Sequence, residues 1–142
     1  MGPGQRRGPL PRRAEKYPLI IVSATDSTTY TGAVQTLVGF DTLSIRGTAS
    51  RLPNEGLNHG TDLSFTMINE NGVEVPYTLT GITSSQPQRN AGTYPMNITG
   101  TPKVIDADGN DVTSEFDITE RQGKFIIKPL PGLIITIKDT KP

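Results

Sequence analysis

The chain has 142 residues, no cysteine, one histidine and equal numbers of acidic and basic side chains. This length suits one ordinary domain with its own hydrophobic core. The absence of cysteine excludes disulfides, thiol catalysis and thiolate metal sites, and it fits both cytosolic proteins and surface proteins of Gram-positive bacteria. No apolar run approaches the roughly 18 residues of a membrane span, so we expect no membrane insertion.

The first 16 residues are rich in Pro, Gly and Arg and lack periodicity, which predicts a disordered basic tail or linker. Their basic start is not followed by an apolar segment, so they do not form a signal peptide, and an exported protein would appear here without its signal. Because the charges balance over the whole chain, the remaining body is mildly acidic. An acidic body argues against nucleic-acid binding.

From Pro18 onwards, short β-branched runs alternate with turn residues. The segments "PLIIVSATD", "TLSIRGT", "TYPMNIT" and "KVIDADGND" are predicted strands, the last entering a turn. Pro95 lacks an N–H and predicts an edge or bulged strand. The segment "RLPNEGLNHGTD" is predicted to be a loop.

Two hairpins are predicted. The clearer one has β-rich arms around Asn71-Gly72, a pair that suits a tight type I′ turn. The second closes the domain around Gln122-Gly123, with Phe116 and Ile118 facing Phe125 and Ile127.

The strand pattern, with turn signals every 8–12 residues and no helical stripe, predicts an all-β, Ig-like antiparallel β-sandwich. A β-grasp-like sheet with one short helix is the alternative. The predicted core consists of Ile20, Val22, Leu43, Ile45, Phe65, Leu79, Tyr94, Ile98, Phe116, Ile118, Phe125 and Ile127.

A short internal sequence repeat suggests how the chain is organised. Leu133-Ile134-Ile135 repeats Leu19-Ile20-Ile21 after a short "KPLPG" linker. We therefore predict one full unit at 17–131, followed at 132–142 by the first strand of a second repeat or by a C-terminal extension.

The strings "YTG…GF", "NAGTYPMNITGTPKVIDADGNDVTSEFDI" and "GKFIIKP" resemble the MBG- or YDG-type Ig-like tandem repeats of large bacterial, Firmicutes-like, cell-surface adhesins. Thr31 stands where those repeats usually have Asp. The resemblance covers about 17–131 and implies an extracellular structural or adhesive module of the cell wall rather than an enzyme. It also implies neighbouring repeats of the same polypeptide as partners.

The acidic segment "DADGNDVTSEFD" has two interpretations. As a calcium loop it would offer Asp106, Asp108, Asn110 and Asp117, which is the oxygen-rich pattern that Ca²⁺ prefers. However, Asp111 stands where such a loop needs Gly, and the flanks are strand-like. We therefore expect an Asp-Gly turn whose side chains bond their own backbone, with weak calcium binding as the alternative.

No catalytic or cofactor site is predicted. His59, the single histidine, is expected to be an exposed loop residue, and no nucleophile elbow or phosphate-binding loop accompanies it. Lys124 or Lys128 could form an isopeptide cross-link only beside an Asn and a carboxylate. Tyr77 and Tyr94 are candidate ligand contacts, although half-buried strand positions are the ordinary interpretation of such residues.

The sequence thus predicts a structural spacer in a surface stalk, with an adhesive module for a host or environmental glycan or protein as the second hypothesis. A spacer should have a polar surface, no pocket and chain ends far apart. An adhesive module should expose an apolar patch around Tyr77, Tyr94 or the 52–62 loop.

Overall fold

A computed structural model describes residues 15–131. Within this range the chain forms fourteen strands and one turn of 3₁₀-helix. The elements are β1 Tyr17–Ser23, β2 Asp26–Thr29, β3 Gln35–Val38, β4 Phe40–Ile45, β5 Thr48–Arg51, β6 Asn54–Glu55, β7 Asn58–His59, β8 Ser64–Ile68, β9 Glu74–Thr83, β10 Ser85–Gln88, β11 Gly92–Pro95, β12 Thr99–Ile105, the 3₁₀ turn Thr113–Glu115, β13 Phe116–Arg121 and β14 Lys124–Lys128. The predicted basic tail, apart from its last two residues, and the predicted strand in 132–142 lie outside the described residues.

The predicted all-β sandwich is confirmed. The strands form four small sheets, ordered β13-β1-β4-β5, β10-β3-β7-β6, β11-β14-β2 and β12-β9-β8. The alternative with a short helix does not form, because residues 15–131 contain no α-helix. The predicted loop at 52–62 instead contains the short β6–β7 hairpin.

The first two strands pair in parallel with the last two, β1 with β13 and β2 with β14. In β1 and β13, Tyr17 lies opposite Phe116, and in β2 and β14, Asp26 lies opposite Phe125. The separation in sequence is the same in both pairs, so one register continues through both. We call these two paired segments the terminal ladder. The predicted closing hairpin around Gln122-Gly123 is therefore wrong. β13 and β14 do not pair with each other, because β13 pairs with β1 and β14 pairs with β2.

The terminal ladder is interrupted between its two segments, at residues 24–25 and 122–123, where the strands pass from one sheet to another. We call this interruption the bend, and side chains replace the missing ladder bonds there. The buried Ser23 hydroxyl donates to the Met96 carbonyl oxygen at 2.7 Å and accepts from the Gly123 N–H at 2.8 Å. The Thr25 hydroxyl accepts from the Lys124 N–H at 3.2 Å. These bonds satisfy backbone groups that would otherwise be unpaired at the bend.

The core has two parts, one on each side of the bend. The larger one lies between the sheets that contain β1 and β9, and the smaller one lies against β14. The buried members of the larger part are Leu19, Ile21, Phe40, Leu43, Leu63, Met67, Leu79, Ile82, Val104 and Phe116; those of the smaller part are Ala24, Leu37, Met96, Phe125 and Ile127.

The predicted core was correct for most strands and wrong in phase for β1. Leu19 and Ile21 are buried there, whereas Ile20 and Val22 are half-buried. Side chains alternate between the two faces of a strand, so a one-residue error moves the whole set to the other face. The run "LIIV" is apolar at every position and gives no alternation from which to choose.

The β8–β9 hairpin is confirmed, but its turn differs from the prediction. A type I′ turn needs positive φ at two central residues, and Gly72 alone has it in this loop. The Asn69 side-chain oxygen accepts from the Asn71 and Val73 N–H groups and holds a longer loop. The two-residue turn with positive φ at both positions is Arg46-Gly47, between β4 and β5.

Pro95 lies in an edge strand, as its lack of a backbone N–H predicts. It ends β11, an outer strand of the sheet β11-β14-β2, and pairs only with Lys124 of β14. The prediction of an edge strand is confirmed.

Replacing Gly123 by Ala should destabilise the domain strongly. An added Cβ would collide with the carbonyl oxygens of Ala24 and Ser23, which are backbone atoms and cannot rotate away. We expect Gly123→Ala to lower the free energy of unfolding by about 3 kcal/mol or more, measured by urea denaturation. Gly109→Ala is the matched control, because Gly109 has positive φ but open space around it, and it should cost only about 1–2 kcal/mol. Equal losses for the two variants would contradict the close approach at the bend.

Candidate functional site

His59 lies buried between two carboxylates, so the expectation of an exposed loop histidine is wrong. The residue is 6% exposed. Its Nδ1 forms a short hydrogen bond with Asp41, and its Nε2 lies 2.9 Å from Asp26 Oδ2. We call Asp26, Asp41 and His59 the His59 cluster.

The three residues of the His59 cluster come from three different sheets. Asp26 begins β2, Asp41 lies in β4 and His59 ends β7. Gly39, with a φ of 105°, lets the β7 backbone approach, since a Cβ there would collide with the His59 carbonyl oxygen. The Phe40 N–H donates to the Gly60 carbonyl oxygen at 2.8 Å and fixes this approach.

Each carboxylate of the cluster also holds local backbone. Asp41 Oδ2 accepts from the Thr25 N–H at 2.9 Å, next to the bend of the terminal ladder. Asp26 Oδ1 accepts from the Ser27 N–H at 2.8 Å. The side chains of Asp26 and Asp41 are 31% and 28% exposed, so water reaches the carboxylates although it does not reach the ring.

The geometry favours a charged imidazole. A neutral ring carries one N–H, so its other nitrogen would face a carboxylate oxygen lone pair to lone pair. Burial lowers the pKa of His59, but the hydrogen bonds and negative charges of Asp41 and Asp26 outweigh it and raise the pKa above its ordinary value of 6.5. We therefore expect the cluster to be an imidazolium held by two carboxylates.

This arrangement leaves the ring without a free lone pair. A general base needs a lone pair on a ring nitrogen, and so does a metal ligand. Within residues 15–131, no group of three or more His, Asp or Glu side chains is placed to hold a metal ion. The cluster lines a polar cavity of about 120 Å³, together with Thr25, Arg51, Leu52 and Asn54. Its chemistry is that of an ion pair joining three sheets.

The acidic segment forms the expected Asp-Gly turn. Asp106 Oδ1 accepts from the N–H groups of Asp108 and Asn110, each at 2.9 Å. The bond from Asn110 is the main reason why the pKa of Asp106 lies below its ordinary value. Asp117 lies further along, in β13. Asp106 Oδ1 therefore bonds the backbone of its own turn, as the Asp-Gly interpretation expects.

Both candidate tyrosines pack against other residues of the domain. The Tyr77 ring stacks on Phe65 at 5.5 Å and meets the edge of Phe116 at 5.7 Å, and burial raises its pKa. Tyr94 packs against the smaller core, and its hydroxyl donates to the Asn90 carbonyl oxygen at 2.7 Å. The two rings lie on β9 and β11, in different sheets, and do not form one surface. Lys124 and Lys128, the isopeptide candidates, are both exposed.

An apolar groove of about 770 Å³ lies between the outer strands β5 and β8, a feature that the sequence analysis did not predict. Its apolar lining comes from Leu43, Ile45, Leu52, Phe65, Met67, Ile68 and Pro76. Ile68 is 56% exposed at its rim.

Comparison with protein-family models, with curated proteins and with solved structures finds no match to this chain. Among residues 15–131, no helix is long and apolar enough to cross a membrane.

The His59 cluster should make stability fall as pH rises. The folded pKa is raised, so the stabilisation is fully present below the unfolded pKa of 6.5 and is lost as pH rises through the folded pKa. We expect the free energy of unfolding, measured in urea from about pH 5 to 9, to decrease across this window. The acidic turn does not affect this pH dependence. The pKa values of Asp106 and Asp111 are lowered, so their contribution to the free energy of unfolding is lost only at acid pH.

Asp26→Asn is the matched control for this pH dependence. It keeps the size of the side chain and removes one of the two charges that favour the imidazolium, so the decrease should become smaller and should end at a lower pH. A wild-type stability that is constant or rises through the window would contradict the charged ring.

Proposed function

We propose that the domain is a structural spacer module in the stalk of a bacterial cell-surface protein. The observation that carries this proposal is the parallel pairing of the first two strands, β1 and β2, with the last two, β13 and β14. Tyr17 and Phe116 lie together at one end of the terminal ladder, and Thr29 and Lys128 lie together at the other. The chain therefore enters the described domain at one end and leaves it at the opposite end, as a module strung along a stalk requires.

Ties between sheets support a stiff unit. Without disulfides, the His59 cluster joins three sheets, and Ser23 joins β1 to the start of β14 and to Met96. Buried polar bonds of this kind restrict the sheets to one arrangement, because leaving any partner unpaired is costly. A stiff unit keeps its two ends at a constant distance, which a spacer requires.

From the resemblance of its sequence to adhesin repeats, we propose that this module lies outside the cell, with neighbouring repeats of the same polypeptide as its partners. The proposal includes no catalysis and no cofactor. The mechanism is passive, since modules joined by short linkers such as "KPLPG" give reach and stiffness.

A second candidate is an adhesive module, and the apolar groove between β5 and β8 favours it. Outer strands present unpaired backbone groups, and an apolar trough beside them suits an extended chain or the apolar faces of a sugar. The ligand would be a glycan or a protein of a host or of the environment. The groove lies away from Tyr94 and includes Phe65, the stacking partner of Tyr77.

Two measurements separate the candidates. For a spacer, small-angle scattering of two units in tandem should give a maximum dimension about twice that of one unit, and glycan arrays should give no reproducible binding. A compact tandem would contradict the spacer. Reproducible binding that is lost in Ile68→Asp would establish the groove as an adhesive site, because Ile68 is exposed and its replacement should leave the fold intact.

A further inference from the structure

We infer that the terminal ladder is a mechanical clamp that is loaded in shear when tension acts between Tyr17 and Lys128. This inference rests on the proposed spacer function, since a stalk module carries tension between its two ends. It assigns that load to particular strands and particular bonds.

The direction of the load follows from the parallel pairing. Tension pulls β1 towards the Tyr17 end and β14 towards the Lys128 end, so the two halves of the ladder are drawn past one another along their length. Six residue pairs join β1 to β13, and four join β2 to β14. In shear these pairs share the load at the same time, whereas peeling from one end breaks them one after another.

The bend of the ladder would be its weak point without the side chains placed there. Ser23 Oγ accepts from the Gly123 N–H, and Thr25 Oγ1 accepts from the Lys124 N–H, so cross-strand bonds continue where the backbone ladder stops. Ser23 is fully buried, and water cannot readily replace its bonds. Ser23 and Thr25 are therefore the residues whose side chains keep the two strands bonded to each other at the bend.

The strands that pair with neither β1 nor β14 lie outside the load path. Among them, the outer strands β5, β6 and β10 are each paired on one side only and do not connect the two loaded ends. Resistance to force should therefore depend on the clamp and not on the overall free energy of unfolding, because forced unfolding is governed by the unfolding rate.

Single-molecule force spectroscopy on the full chain tests this directly. The chain has no cysteine, so two introduced cysteines define the points of attachment. Glu15→Cys with Pro131→Cys loads the ladder in shear. Glu15→Cys with Ser114→Cys applies tension at the same end of β1 and β13 and peels them apart. All three sites are exposed.

The shear geometry should give a clearly higher unfolding force than the peeling geometry, because several residue pairs must break at the same time. Similar forces in the two geometries would overturn the clamp.

Two buried serines provide a matched pair of variants. Ser23→Ala should lower the unfolding force in the shear geometry. Ser84→Ala removes a bond to the Asn97 carbonyl oxygen outside the clamp, and it should reduce the free energy of unfolding in urea while leaving that force unchanged. If Ser23→Ala fails to fold, Thr25→Val tests the same bend. Equal loss of force in Ser84→Ala and the clamp variants would overturn the assignment.

The outcome is separable from that of the spacer proposal. Low force in a domain whose tandem is extended and binds no glycan would remove the clamp and leave the spacer intact. High force in a domain that binds a ligand through the groove would retain the clamp in an adhesive module.

Discussion

The buried imidazolium of His59 is the interaction on which the arrangement of the sheets depends. Four small sheets of three or four strands must be held together in a chain that has no disulfide. His59 does this by donating one N–H to a strand of one sheet and the other N–H to a strand of a second sheet, from its own place in a third. Removing one partner of such a group leaves a buried charge uncompensated, which is far more costly than the net gain from forming the pair. The main effect of the cluster is therefore to fix how the sheets are arranged, and its net contribution to the free energy of unfolding is the smaller effect.

The bend in the terminal ladder and the His59 cluster belong together. Thr25 connects them, since its N–H donates to Asp41 and its hydroxyl accepts from Lys124. Asp26, the next residue, binds the ring of His59. The point where the first strand passes from one sheet to another is thus held from both sides, by the cluster and by the last strand. Continuity of register through the bend is what brings the chain out at the opposite end of the domain.

The sequence predicted what depends on neighbouring residues. Alternation and turn residues gave the all-β class, the β8–β9 hairpin, the edge position of Pro95 and the turn at Asp106. It failed where the partner is distant. The "EFDITERQGKFIIKP" segment has the pattern of a hairpin, and no local signal shows that its first arm pairs with β1 and its second arm with β2 instead. His59 was missed for the same reason, because its carboxylates come from strands far away in sequence. The one signal for its burial was the alternation of Leu57 and His59 around exposed Asn58.

The central claim concerns the charge on one ring, and the single histidine makes it directly measurable. A ¹⁵N NMR titration of the His59 side chain reports the protonation of both ring nitrogens without overlap from other histidines. Our account predicts that both nitrogens carry protons at pH 6.5 and that the titration midpoint lies above this ordinary value. A midpoint at or below 6.5, or one unprotonated ring nitrogen throughout the neutral range, would contradict the imidazolium and with it the tie between the three sheets.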